Sequence, residues 1–134
     1  MDEELSRIRE EKMKKMLEKG GVSGMETEIE TDDSSFQKKV IEQSKKVPVV
    51  VDFWAVWCAP CLMLSPTLEK FAREYGGKFV LAKANVDENR EKAQKYGIMS
   101  IPAVKMFKDG HVVDEFVGAI AEPFVKGWLD RNLG

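Results

Sequence analysis

Cysteine and histidine are scarce in this chain of 134 residues, which holds two cysteines and one histidine. The cysteines, Cys58 and Cys61, are separated by two residues, so a disulfide between them closes a loop too short to tie a fold together. Their use is therefore local, either in redox chemistry or in metal binding.

A strong charge of one sign and long apolar runs are also missing. The formal net charge is −2, which gives no general attraction to nucleic acid or to an anionic membrane. No stretch approaches the roughly 18 apolar residues of a membrane span, and the charged N-terminus does not resemble a secretory signal. We therefore expect a cytoplasmic protein without nucleic-acid or membrane partners, and we expect it to be a monomer.

Two parts are predicted along the chain. Residues 1–24 form an extension, because apolar side chains recur at helical spacing over 2–19 and Gly20-Gly21 ends the pattern. This extension is either a solvated helix of marginal stability or a helix for docking or self-association. Residues 25–134 form the main domain, which is long enough to bury a core without disulfide staples.

The main domain alternates between strand and helix patterns. Strands are predicted over 25–31, 47–54, 79–86, 103–107 and 112–117, and helices over 36–44, 59–75, 89–96 and from 121 onward. The Asp109-Gly110 loop predicts that the last two strands form an antiparallel hairpin. The order β-α-β-α-β-α-β-β-α indicates an α/β fold with a central mixed sheet and helices on both faces.

The two cysteines stand where the second predicted strand gives way to a helix. Pro60 between them suits the first turn of that helix. Cys58 is then at the positive end of the helix, where a thiolate is stabilised, and Cys61 is shielded one turn deeper. We expect Cys58 to attack a client disulfide and Cys61 to attack the resulting mixed disulfide.

Zinc binding is the alternative use of this pair. A zinc site usually needs four nitrogen or sulfur ligands, whereas the chain offers two cysteines and His111. A complete site would require a second chain, so the sequence favours redox chemistry and predicts no metal.

Asp52 interrupts an otherwise apolar strand. A lone buried carboxylate has a raised pKa because burial disfavours its charge, which makes Asp52 a candidate proton acceptor for Cys61. Lys83, the one charge in the neighbouring predicted strand, is its expected partner. The alternative is a buried ion pair with a purely structural role.

These residues together resemble the thioredoxin family. The matching pieces, in the family's order and spacing, are DFWAVWCAPC at 52–61, Met63 and Pro66, GIMSIP at 97–102, FKDG at 107–110 and VGA at 117–119. The resemblance covers about residues 26–133. It implies the thioredoxin fold, protein-disulfide reduction without a cofactor, and two kinds of partner, a thioredoxin reductase and disulfide-bearing client proteins.

The resemblance also implies a role for individual residues. Cys58 resembles the attacking thiol and Cys61 the resolving thiol, while Asp52 and Lys83 match the buried acid and the lysine near it. The remaining matches form the expected client-binding surface, with Pro102 as the cis-proline against the disulfide and Ile101 as the residue whose backbone binds the client. The other members of that surface are Trp57, Ala59, Pro60, Gly97, Gly118 and Ala119.

Three positions depart from the family pattern. Ala59 replaces a glycine, Leu62 a lysine, and Val56 an acidic residue. Losing both charges makes the surroundings of the thiols more apolar, which suits hydrophobic clients or a particular reductase.

Two other functions compete with disulfide reduction. An oxidase or isomerase uses the same chemistry with its direction set by reduction potential, but the dipeptide Ala59-Pro60 lacks the histidine usual in that branch. A binding module without turnover is the other alternative. Such a module has no need of an intact cysteine pair with Asp52, so the sequence favours the reductase.

Overall fold

A computed structural model of the chain describes residues 26–134. The predicted helix over 2–19 and the link after it lie outside the described residues. The strands are β1 (Glu28–Glu30), β2 (Val49–Trp54), β3 (Val80–Asn85), β4 (Ala103–Lys108) and β5 (His111–Val117). The helices are α1 (Gln37–Glu42 continued by Gln43–Lys45), α2 (Ala59–Glu74), α3 (Arg90–Lys95) and α4 (Glu122–Leu133). The predicted order and the α/β class are confirmed.

The five strands form one mixed sheet in the order β1-β3-β2-β4-β5. The first three strands are parallel to one another, because α1 and α2 carry the chain back between them. β4 is antiparallel to β2, and β5 is antiparallel to β4. The predicted hairpin is confirmed, and Asp109 and Gly110 both have positive φ, as a two-residue hairpin loop favours. The central position of β2 places its carboxyl end, at Trp54, in the middle of the sheet edge.

The helices cover both faces of the sheet. One apolar cluster, which includes Leu68, Leu81 and Trp128, fills the face under α2 and α4. A second cluster, which includes Phe36 and Phe53, fills the opposite face. In the described part of the chain, no helix combines the length and apolar character that crossing a membrane requires.

The helix predicted over 36–44 is present but does not have α-helical winding. Gln37–Glu42 is wound as a π-helix, and Gln43–Lys45 is a tight 3₁₀ turn. The tight turn brings the buried Ser44 to the β4–β5 hairpin, where its carbonyl accepts from the Asp109 N–H at 2.9 Å. Its hydroxyl accepts from the Gly110 N–H at 2.8 Å. Periodicity alone does not reveal this contact, because the hairpin lies more than 60 residues later in the sequence.

Helical spacing in the sequence predicts Met63 and Phe124 on the apolar faces of α2 and α4, but both side chains are exposed. Met63 is 73% exposed and Phe124 is 71% exposed. On α2, Leu64, Leu68 and Phe71 face the sheet, and Met63 lies about 100° around the helix from Leu64. Met63 therefore lies outside the face that packs on the sheet, and it faces solvent near the cysteines.

Candidate active site

Cys58 and Cys61 form a disulfide at the start of α2, with their Cα atoms 5.3 Å apart. Cys58 is the N-cap residue, and its Sγ accepts a hydrogen bond from the Cys61 N–H at 3.2 Å. A sulfur thus occupies the place where serine or aspartate commonly binds the free N–H groups of a helix. Pro60 fits the first turn because it lacks an N–H that would need a partner.

The two sulfurs differ in their access to solvent. Cys58 is 6% exposed, whereas Cys61 is fully buried. Ala55 packs with the pair, and the side chains of Trp54, Val86 and Ile101 close around them. An external sulfur can therefore approach Cys58 but not Cys61.

Ile101 and Pro102 form a wall beside the disulfide. The peptide bond between them is cis, as the family resemblance implied. The carbonyl oxygen of Ile101 lies 3.7 Å from Cys58 Sγ, and the Pro102 carbonyl accepts from the Gly118 N–H at 2.8 Å. The end of β5 is thereby tied to this wall, with Ala119 exposed next to it.

The other predicted client-binding residues lie farther out. Ala59 and Pro60 are exposed at the start of α2. Gly97 lines a shallow depression with Met99 and Val117, so it lies near the end of β5 and is not among the side chains packed on the sulfurs.

Trp57 is exposed, yet its ring is fixed in place. Its Nε1–H donates to the Asp87 carboxylate at 3.1 Å. Asp87 follows the carboxyl end of β3, and the sequence reasoning missed it. A polar side chain just beyond a buried strand was the available signal, because such strand ends gather at one edge of a parallel sheet.

Asp52 is buried in β2 with 1% of its surface exposed. Within residues 26–134, neither carboxylate oxygen has a hydrogen-bond partner. Burial raises the pKa of Asp52 to about 7, opposed by the charge of Lys83 and by the nearby Ser65 hydroxyl. Ser65 lies four residues after Cys61 on α2, so the Asp52 carboxyl lies about one helical turn below the buried sulfur.

The predicted pairing of Lys83 with Asp52 was wrong in one respect. The two residues are register partners on adjacent strands, but Lys83 Nζ forms its ion pair with Glu69 Oε1, at 3.1 Å. It also lies 4.7 Å from the centre of the Trp54 ring. An ion pair with Asp52 would remove both charges from water, whereas Glu69 remains partly solvated, so the observed pair has the smaller desolvation cost.

Glu69 was missed by the sequence reasoning. Cys61, Ser65 and Glu69 are spaced four residues apart on α2, so they form one row on the helix. That spacing was the signal that could have found it.

In this fold His111, the third candidate zinc ligand, lies far from the two cysteines. His111 begins β5, at the hairpin end of the β4–β5 pair, whereas Pro102 and the cysteines lie at the other end. Six strand residues separate the two ends by roughly 20 Å. Residues 26–134 also contain no cluster of three or more His, Cys, Asp or Glu side chains placed to hold a metal ion.

Comparison with known proteins gives a consistent result. The thioredoxin family model matches residues 27–131. The chain is 45% identical to thioredoxin of Chlorobaculum thiosulfatiphilum over 106 residues, which are 79% of this chain and 96% of that protein. It is 44% identical to thioredoxin 1 of Synechococcus elongatus over 101 residues, 75% of this chain and 92% of that protein.

A third relative is thioredoxin of Pseudomonas aeruginosa, 41% identical over 105 residues, which are 78% of this chain and 95% of that protein. The family-model match spans the five strands and the cysteine pair described above. The chain therefore belongs to the thioredoxin family and is a thiol-disulfide oxidoreductase that reduces protein disulfides.

Proposed function

We propose that the chain reduces client disulfides in two exchange steps carried by residues 25–134. First, the Cys58 thiolate attacks one client sulfur, so a mixed disulfide forms and the other client sulfur leaves as a thiolate. Then Cys61 loses its proton and attacks Cys58 Sγ, which releases the second client sulfur and leaves the Cys58–Cys61 disulfide. One observation carries this assignment of roles: Cys58 is accessible at the helix N-terminus, while Cys61 is fully buried.

In this proposal Asp52 takes the proton from Cys61 in the second step. Solvent does not reach Cys61, so a base inside the protein is needed. Asp52 is suited to it because its pKa, raised by burial to about 7, lies close to neutral pH, where a general base is most effective. Lys83 contributes by opposing the rise in the pKa of Asp52, so that part of the Asp52 population is an ionised carboxylate at neutral pH.

The client is proposed to lie in extended form across Cys58 and the Ile101–Pro102 wall. Ile101 presents its carbonyl oxygen beside Cys58, where it can accept a backbone hydrogen bond from the client. The rest of the proposed contact surface is formed by Trp57, Ala59, Pro60, Gly97, Pro102, Gly118 and Ala119. Backbone contacts of this kind bind many sequences, which suits an enzyme with several clients.

The remaining proposals concern partners and location. A thioredoxin reductase is proposed to return electrons to the Cys58–Cys61 disulfide, since the relatives named above are thioredoxins. We place the protein in the cytoplasm, where thiols are kept reduced, and we expect it to act as a monomer.

Insulin reduction tests the proposed direction of the reaction. Catalytic amounts of the protein are expected to accelerate the reduction of insulin disulfides by dithiothreitol, followed as turbidity from the released B chain. A rate equal to that of dithiothreitol alone would contradict the proposal. Acceleration of disulfide formation in a reduced client, without acceleration of insulin reduction, would favour the oxidase instead.

The apolar surroundings of Cys58 affect client choice. Val56, Leu62 and Met63 are exposed on the cysteine-bearing turn and helix, and Met99 is 96% exposed. Replacing Leu62 by lysine is expected to raise kcat/KM for a disulfide peptide with acidic flanking residues roughly two- to fivefold at low salt. The gain is expected to vanish at high salt, because exposed charges are then screened.

Val113→Lys provides the matched control for Leu62→Lys. Val113 has similar exposure but lies in β5, toward the hairpin end. Measuring both variants on acidic and uncharged peptides separates a local effect from the gain in net charge. An equal gain in both variants would show that the position of Leu62 beside Cys58 has no special influence.

A further inference from the structure

A row of charged side chains runs across the sheet face under α2, next to Asp52. Lys83 and Asp52 are register partners on β3 and β2, and adjacent strands are about 4.8 Å apart. Lys83 is therefore within reach of Asp52, yet its ammonium is paired with Glu69 from α2. Glu28 of β1 lies close enough to interact with both Glu69 and Lys83.

The direction in which Lys83 points determines the environment of Asp52. The Asp52 carboxylate lacks any partner among the described residues. If the ammonium turned from Glu69 to Asp52, a direct ion pair would favour the charged carboxylate and weaken it as a base. Glu69 adds a second effect, because its own negative charge raises the pKa of Asp52.

We propose that Glu69 is a positioning residue for the second exchange step: by holding Lys83 through an ion pair, it keeps the Asp52 carboxylate unpaired and able to accept the Cys61 proton. This inference rests on the proposed role of Asp52. In that step the Cys61 proton moves to Asp52 as the Cys61–Cys58 bond forms and the Cys58–client bond breaks. The electron pair of the broken bond leaves on the client sulfur, and Asp52 later returns the proton to water.

Further charged groups lie around this row. Asp52 is influenced by Lys83 and Glu69. Glu28 is influenced by Glu69, Lys83 and Arg73, and burial together with Glu69 raises its pKa. Glu28 is thus the second acceptor that Lys83 can turn to when Glu69 is neutralised.

The test uses Glu69→Gln in the full chain. In the oxidised protein, the titration of the Asp52 carboxyl carbon is followed by NMR. Its midpoint is expected to fall by about one pH unit, because Lys83 is released and the charge of Glu69 is lost. In single-turnover release of a bound client, the midpoint on the acid side of the pH–rate profile is expected to shift to lower pH by the same amount.

Two further variants make the result decisive. Glu74→Gln removes the same charge from an exposed position on α2 and is expected to leave the Asp52 midpoint and the pH–rate profile unchanged. Glu69→Gln/Glu28→Gln removes both acceptors of Lys83, so a fall of the midpoint in either Glu69 variant supports the inference. An unchanged midpoint in both variants, or an equal fall in Glu74→Gln, overturns it.

Failure of the proposed role of Asp52 would give a different experimental result. If Asp52→Asn leaves the rate of client release unchanged at every pH, then Asp52 is not the proton acceptor, and the role of Glu69 falls with it. If Asp52→Asn slows release but the midpoint of the Asp52 titration is unchanged in both Glu69 variants, only the inference on Glu69 is overturned.

Discussion

Replacing Cys58 by serine is expected to lower insulin reduction to the rate of dithiothreitol alone. Cys58 carries the sulfur that an external disulfide can reach, and Cys61 is fully buried and cannot substitute for it. A serine hydroxyl without an adjacent base is too weak a nucleophile to open a disulfide. The fold is expected to persist, because serine at the N-cap can accept the Cys61 N–H bond that Cys58 Sγ now accepts.

Cys61→Ser is the matched variant and has a different expected outcome. Cys58 still attacks, so one equivalent of client is captured as a mixed disulfide, but no residue resolves it. Incubation with an oxidised client, followed by non-reducing electrophoresis and mass spectrometry, is expected to show a one-to-one adduct on Cys58. Adducts formed by Cys58→Ser through Cys61 would contradict the assignment of roles.

Replacing Asp52 by asparagine is expected to stabilise the fold at alkaline pH. Burial raises the pKa of Asp52 from 3.8 to about 7, so between these values the folded state keeps a proton that the unfolded chain releases. The stability of the parent protein therefore falls as pH rises from about 4 to about 7 and stays low above it. At about 1.4 kcal/mol per pH unit, the total is on the order of 4 kcal/mol.

Urea unfolding at pH 4.5 and pH 8.5 checks this prediction. The advantage of Asp52→Asn is expected to be small at the lower pH and to reach up to about 4 kcal/mol at the higher one, reduced by the cost of burying the amide. Asp114→Asn serves as a control of opposite sign. Hydrogen bonds from Asn132 and Arg131 hold the pKa of Asp114 down at about 2, so this variant is expected to lose stability above pH 4. Equal stability of Asp52→Asn and its parent at pH 8.5 would contradict the raised pKa.

The same variant is expected to slow the second exchange step. Asparagine cannot accept the Cys61 proton, and a general base contributes on the order of a hundredfold or more to such a step. Stopped-flow release of a client from the mixed disulfide at pH 7 measures this step directly. An unchanged rate, together with the expected gain in stability, would leave Asp52 as a buried charge without a part in the reaction.

The elements around the cysteines were predictable because local chemistry determines them. Pro60 marks the first turn of α2, Asp109-Gly110 marks the hairpin, and a lone aspartate in an apolar strand marks a raised pKa. Each of these signals concerns one residue and its immediate neighbours along the chain. The order of strands and helices follows from the same kind of signal.

Features that depend on tertiary neighbours were missed. The partner of Lys83 was assigned from strand neighbours alone, whereas the structure offers it Glu69 from a helix above the sheet. The end of α1 is hydrogen-bonded to a hairpin more than 60 residues away in sequence. Spacing alone also could not separate Met63, which faces solvent, from its buried neighbours on α2.

The central place of β2 has a consequence for how the protein can diversify. β2 is hydrogen-bonded on both sides, by β3 and β4, so its amides are expected to be among the slowest to exchange with deuterium. The strand that leads into the cysteine turn is thus held by the most rigid part of the molecule. Met99 and Ala119 are exposed instead in connecting segments outside the strands, where substitutions disturb a core least. Substitutions in these connecting segments can therefore change client preference, while β2 keeps the geometry of the two sulfurs unchanged.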